Sequence, residues 1–206
     1  DQRIIWGDHL MLLFAQSILA EQPGAQFLAE VKCSDVLFSR IKELGGSIEM
    51  GKVGHSLIKA RMKETGAILA GEMSGHLFFK DRYLGYDDGI YAGARLIELM
   101  GRGQTDITDF LDGLPKTVAT PEVRIECADE NKFKVVEAAK AILRKEYELV
   151  EIDGIRLRTD DGWALLRASN TQPALVMRVE ATTSEALDSI RALIEKTVQQ
   201  VIEEDA

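Results

Sequence analysis

Long apolar runs, cysteine, proline and any excess of basic charge are all scarce in this sequence, and each scarcity removes a class of explanation. The longest apolar stretch, Leu10 to Ala15, is far too short for a bilayer span, which needs about 20 residues. No basic-then-apolar leader opens the chain. Only two cysteines occur, Cys33 and Cys127. They fall in different expected domains, so a disulfide framework is not expected and a reducing, cytoplasmic setting is. Acids outnumber bases by 34 to 25, for a net charge of −9. That balance opposes non-specific nucleic-acid binding, which depends on basic surface. An anionic substrate must then be met by local positive groups.

What is present suits one large or two ordinary domains: 206 residues, 46% hydrophobic and 29% charged, enough for packed cores and against disorder. Leu10, Leu13, Phe14, Ser17 and Ile18 fall at helical spacing, and Pro23-Gly24 stops that helix. Gln26 to Val31 reads as a largely buried strand. Ser34 is placed to cap a helix with Val36, Leu37, Ile41 and Leu44 inward, ended by Gly45-Gly46. Ser47 to Lys52 is the next strand, Ser56 to Thr65 the next helix and Ile68 to Gly71 a third strand. Asp87-Asp88 then starts a helix with Tyr91, Ala94, Leu96, Ile97 and Met100 around its apolar face. This alternation predicts a mostly parallel sheet covered on both faces, with ligands at the carboxyl ends of its strands. Lys32, His55 and Glu72 each follow a strand closely.

Gly101 to Pro121 is rich in glycine and proline with a weak apolar pattern, which places the domain boundary there. After it, Pro121 to Cys127 reads as a strand and Lys132 to Lys145 as a helix with Phe133, Val136, Ala139 and Leu143 inward. Glu148 to Arg158 is a hairpin closed by Asp153-Gly154. Trp163 to Arg167 and Leu175 to Ala181 are strands, and Ser184 caps a last helix with Leu187, Ile190, Ile194, Val198 and Val201 inward. The expectation is an α/β mixed-sheet three-layer domain over 1–110, then a smaller α+β domain over 111–206 with an antiparallel sheet and two helices.

Two segments carry chemistry. Gly71-Glu72-Met73-Ser74-Gly75-His76 puts a carboxylate, a hydroxyl and an imidazole on one glycine-flanked turn, a set able to grip adjacent sugar hydroxyls. Arg167-Ala168-Ser169-Asn170-Thr171-Gln172-Pro173 offers a guanidinium, hydroxyls and amides suited to a phosphate dianion. Taken singly, each has a plainer reading: a capped turn at a strand end and a polar hairpin loop. His55 follows Gly54 at a strand-to-helix turn, where an imidazole can move a proton or balance phosphate charge. His9 has no such setting. Lys32 ends an apolar strand, either to reach an anion or to snorkel to water. Cys33, Met73, Trp6 and Trp163 read as packing residues, and no residue is assigned as a metal ligand.

These segments also carry a resemblance. Gly71 to His76 is similar to the sugar-binding loop of the phosphomannomutase/phosphoglucomutase group of the α-D-phosphohexomutase superfamily, and Arg167 to Pro173 to that family's phosphate-binding loop. Val31-Lys32-Cys33, Lys52-Val53-Gly54-His55-Ser56-Leu57, Asp87-Asp88-Gly89 and Thr120-Pro121-Glu122 match more briefly, in the family's order. Gly51 and Val53 depart from its pattern, which commonly has an aromatic residue and a threonine there. The resemblance implies catalytic roles for His55, His76 and Lys32. It implies substrate binding by Glu72, Ser74, Arg167, Ser169, Asn170 and Thr171, with Glu72 and Ser74 on the O3 and O4 hydroxyls that glucose and mannose share.

The family's nucleophilic serine motif and its Asp-x-Asp-x-Asp loop for Mg²⁺ are absent from these 206 residues. The opening Asp1-Gln2-Arg3-Ile4-Ile5 resembles the stretch just after that loop. The chain is therefore expected to be the third and fourth domains of a cytoplasmic mutase, binding substrate without turning it over. Its implied partners are a hexose phosphate and the missing N-terminal domains, with neither nucleic acid nor membrane. Hexose 1,6-bisphosphate is the implied intermediate and activator. A phosphoglucosamine mutase is the neighbouring alternative, set aside because Met73 stands where that group commonly has glutamine. A non-catalytic sugar-phosphate binding module and a plain interaction domain are the alternatives from other classes.

Overall fold

The structure, a computed structural model, describes residues 4–103 and 106–204 and divides into two compact units, 1–115 and 116–206. Asp1, Gln2 and Arg3 of the opening segment, and residues 104–105 of the connector, lie outside the described residues.

In the first unit, α1 (Gly7–Glu21), α2 (Asp35–Glu43), α3 (His55–Thr65) and α4 (Gly89–Gly101) surround a four-stranded sheet. Its strands are β1 (Gln26–Glu30), β2 (Ser47–Gly51), β3 (Leu69–Gly71) and β4 (Leu77–Phe79), in the order β2-β1-β3-β4. The first three run parallel, and β4 returns antiparallel to β3. Strand alternation sorts the side chains into two layers. Phe27, Ala29, Leu69, Leu77 and Phe79 pack with α1, α2 and Leu99 of α4. Leu28, Ala70 and Phe78 pack on the other face with Ile58 and Met62 of α3. The parallel arrangement sends the chain out of β1, β2 and β3 at one common edge.

The second unit holds β5 (Val118–Ala119), β6 (Val123–Glu126), α6 (Lys132–Leu143), β7 (Glu148–Val150), β8 (Ile155–Arg158), β9 (Gly162–Ala168), β10 (Ala174–Ala181) and α7 (Ser184–Glu204). A six-stranded sheet runs β5-β10-β9-β8-β7, with β6 also on β10. The described pairings within it are antiparallel. Ile155, Leu157, Ala164, Leu166, Leu175, Met177 and Val179 share one face under α6 and α7. The alternate positions carry Arg156, Trp163, Arg167, Arg178 and Glu180, all buried. There the Arg156 guanidinium lies 3.7 Å from the centre of the Trp163 ring, whose Nε1 donates to Glu180 at 3.0 Å.

Several details depart from the sequence reading, each for a local reason. β4 is too short for its alternation to register, yet it pairs fully with β3. The connector holds a short helix, α5 (Ile107–Asp112), capped by the Asp106 side chain. Helix α3 starts at His55 rather than Ser56, with Gly54 as its N-cap. Thr183, not Ser184, caps α7, its hydroxyl accepting from the Ala186 N–H. Leu44, Ile97, Met100 and Phe133 are exposed. Leu44 sits past the end of α2, Arg95 and Leu99 take the buried face of α4, and Val135 fills the place expected of Phe133.

Arg95 shows how the first unit tolerates a buried charge. Its guanidinium meets Asp81 at 2.8 Å, both side chains being less than a tenth exposed, and lies 5.0 Å from the Phe79 ring centre. Asp81 also accepts from Gln22 at 2.9 Å. Removing one partner of such a pair strands the other, at a cost of about 3–5 kcal/mol. Arg95→Ala should lower the urea midpoint of this unit accordingly. A loss below about 1 kcal/mol would place the pair with ordinary surface bridges.

Candidate functional site

Glu72 leaves the end of β3 buried, only 4% exposed. Its two oxygens are held differently: Oε1 accepts the Gly54 N–H at 3.1 Å, and Oε2 accepts the Ser74 hydroxyl at 3.3 Å. Gly54 belongs to the turn after β2, so the carboxylate joins the ends of β3 and β2, the two strands that flank β1. The 72–76 turn closes on itself, with Glu72 N–H donating to the His76 carbonyl at 2.9 Å and Gly75 N–H to that of Glu72 at 3.0 Å. Gly75 has φ +101°, a left-handed conformation that side chains resist.

His55, the first residue of α3, and His76 meet edge to face, with ring centres 4.3 Å apart. Ligand atoms of His55, Glu72 and His76 all lie within 4.8 Å of one another. Asp87 fixes His76: its Oδ2 lies 2.8 Å from Nδ1, while Oδ1 accepts the Leu77 N–H at 3.1 Å. A carboxylate there keeps the proton on Nδ1 and leaves the Nε2 lone pair available. The edge thus presents a buried carboxylate, a hydroxyl and two imidazoles, a set that accepts hydroxyl protons and can move one.

Lys32 is buried at the end of β1, 8% exposed. Its backbone N–H and that of Met73 both donate to the Glu30 carboxylate, the latter at 3.1 Å. Glu30 therefore ties the turn after β1 to the loop carrying Glu72. Helix α1 braces the same loop from below: Gly7 N–H donates to the Met73 carbonyl at 3.0 Å. A Cβ on Gly7 would fall 2.4 Å from the Glu72 carbonyl oxygen, so the approach excludes any side chain. Met73 itself packs in the core with α1 and α2, which assigns its side chain to packing.

In the second unit Arg167 is buried on β9, its Nε donating to Asp153 at 3.1 Å. Its Nη2 has no hydrogen-bond partner among the described residues. Ser169 closes the following turn: its hydroxyl accepts from the N–H of Gln172 at 3.2 Å and of Thr171 at 3.4 Å. Asn170 and Thr171 are exposed on that turn. Lys132, buried at the start of α6, donates to the Gln172 carbonyl at 3.1 Å and pairs with Asp129 at 2.7 Å. The loop is held from outside its own segment.

The structure thus brings His55, Glu72, Ser74 and His76 together in the first unit, with Lys32 tied to the same loop, and Arg167 with the Ser169–Thr171 turn in the second. Gly7, Glu30 and Lys132 escaped the sequence reading. Glu30 had a visible signal, an acid inside an apolar strand. Gly7 and Lys132 had none, since their partners are remote in sequence. In the sequence Asp87 reads as part of a helix start and of a short family match; Asp88 takes the cap, and Asp87 turns to His76 instead.

Burial pushes the Glu30 carboxyl up to about 7, against the pull of Lys32 and of the two N–H bonds, with Glu72 adding to the rise. An acid raised in this way holds more protons folded than unfolded between its two pKa values. Its effect is a loss of stability as pH rises from about 4.5 to about 7. Glu30→Gln cannot titrate, and it also forfeits one of the two acceptors. Melting temperatures of both proteins at about pH 5 and about pH 7.5 should show the wild type losing ground to the variant at the higher pH. A constant difference would assign Glu30 an ordinary pKa.

Known proteins resemble this chain over both units. The family model described as Phosphoglucomutase/phosphomannomutase, alpha/beta/alpha domain III matches residues 6–118. The model for the Phosphoglucomutase/phosphomannomutase C-terminal domain matches residues 122–197. The phosphomannomutase/phosphoglucomutase of Pseudomonas aeruginosa is 44% identical over 199 residues, 96% of this chain and 43% of that protein. The phosphoglucomutase of Neisseria gonorrhoeae is 47% identical over 194 residues, 93% of this chain and 42% of that protein. A solved phosphoglucomutase/phosphomannomutase family protein from Burkholderia thailandensis superposes with a TM-score of 0.87 at 44% identity, covering 97% of this chain and 42% of that one. The chain spans less than half the length of these relatives. With two strands' ends converging on Glu72 in one unit and an arginine-led loop in the other, both matched by their own family model, this chain belongs to the phosphoglucomutase/phosphomannomutase family.

Proposed function

We propose that this chain is the substrate-recognising part of a phosphohexomutase that interconverts hexose 1-phosphate and hexose 6-phosphate through a bisphosphate intermediate. The observation that carries the reading is the Glu72 carboxylate, oriented by Gly54 and Ser74 beside His55 and His76. A fixed carboxylate accepts from two vicinal hydroxyls, and Ser74 adds a further partner. O3 and O4 are the hydroxyls assigned to it, since glucose and mannose share them. His55 and His76 are assigned to proton transfer at the hydroxyl that receives or releases phosphoryl, with Lys32 near the same loop to balance charge. Arg167, Ser169, Asn170 and Thr171 are assigned to the phosphate that is not reacting. The unpartnered Nη2 of Arg167 supports this, because a buried guanidinium donor without an acceptor is costly and a phosphate oxygen supplies one.

The family resemblance implies Mg²⁺ in the whole protein, together with a serine phosphodonor. Magnesium takes carboxylate, carbonyl and water oxygens in octahedral geometry. The three-residue donor cluster found among the described residues contains two imidazoles and does not fit it. No step is assigned to Mg²⁺ on these residues; the ion and the serine belong to other parts of the whole protein in this reading.

In the whole protein, Glu72→Gln should lower turnover of glucose and mannose phosphates alike by about one to two decades, for about 1.5–3 kcal/mol per charge-assisted bond. A changed preference between the two sugars, with the better substrate unaffected, would reject the O3/O4 assignment. Arg167→Ala should instead raise KM, at a cost of a few kcal/mol at most, because the turn amides and hydroxyls remain. Steady-state assays with both sugars separate the two outcomes. A fall in kcat alone on Arg167→Ala would remove the arginine from substrate binding.

A further inference from the structure

We infer that His55, Glu72 and His76 form a binding site for a borderline transition-metal dication of the zinc type, distinct from any Mg²⁺ chemistry. Two imidazoles and one carboxylate are a set that Zn²⁺ and Co²⁺ accept and Mg²⁺ does not favour. The three donors are already gathered, all within 4.8 Å of one another. Zinc–nitrogen bonds of about 2.0–2.1 Å require donors closer than this. His55 is exposed on the first turn of α3, so its side chain has room to swing inward.

The groups behind the donors fit the same reading. Asp87 on Nδ1 of His76 makes the carboxylate–histidine pair that orients metal-bound imidazoles and raises their basicity. Glu72 is fixed by the Gly54 N–H and the Ser74 hydroxyl, each using one lone pair per oxygen and leaving others for an ion. Exposure of His55 gives an ion a way in and leaves coordination positions for water. Bound there, the ion occupies the lone pairs assigned above to sugar hydroxyls and acts as an inhibitor. That consequence rests on the proposed function, whereas the site itself does not.

Titration of the 206-residue chain with CoCl₂, followed by its visible d–d absorption, tests the site directly. One Co²⁺ per chain should bind, Zn²⁺ should displace it and Mg²⁺ should not. His55→Gln and His76→Ala should each weaken binding at least about tenfold, and Asp87→Ala about 10–100-fold through His76. His9→Ala, a change at the remaining histidine, should leave binding unaltered. Far-UV circular dichroism checks each variant's fold, and His55→Gln, on an exposed side chain, keeps the test decisive should the others unfold. Binding weaker than about 1 mM for both Co²⁺ and Zn²⁺, or an undiminished Co²⁺ band in His55→Gln, would overturn the site.

Discussion

The Glu30 carboxylate is buried at the end of β1 and accepts backbone N–H groups from two loops that follow different strands. Lys32 hangs from the first of these loops. Glu72, Ser74 and His76 hang from the second, and Glu72 in turn holds the turn before His55. A charge in so enclosed a place is unfavourable, as its raised pKa records. Two hydrogen bonds to one strand end offset part of the penalty and set the separation of the two loops. A hydrophobic residue at this position would pack more cheaply but leave both loops untethered.

The two units place their buried charged groups differently. In the first, a carboxylate is aimed by backbone and hydroxyl donors on strand ends, and rigid elements place such groups more precisely than free loops do. In the second, charge is stored inside the sheet. Arg156, Arg167 and Arg178 alternate with the apolar residues that pack under α6 and α7, so strand register alone lines them on one face. The turn after β9 is restrained by Lys132, which donates to the Gln172 carbonyl.

Much of this was legible because period and caps are local signals. The parallel strands β1, β2 and β3, the Ser34 cap and the Asp153-Gly154 hairpin follow from residues a few positions apart. So do the buried positions Ile190, Ile194, Val198 and Val201 of α7. The short strands β4 and β5 exist through pairing with other strands and leave little trace in a pattern. The apolar residues misplaced to the core have the right spacing within about one helical step, where tertiary packing decides between neighbours such as Phe133 and Val135. In the site, residue types were readable and supports were not. Glu72 and Arg167 announce themselves by company, whereas Lys132 touches the turn after β9 only through a fold that brings remote residues together.

Helix α1 starts against the backbone of the Glu72 loop, with space at residue 7 for a hydrogen and nothing larger. The shape of that loop is thus inherited in part from a residue that carries no chemistry and lies far from it in sequence. Any drift at position 7 is felt as a change in the loop itself. A residue with no side chain to offer thus has little freedom to vary.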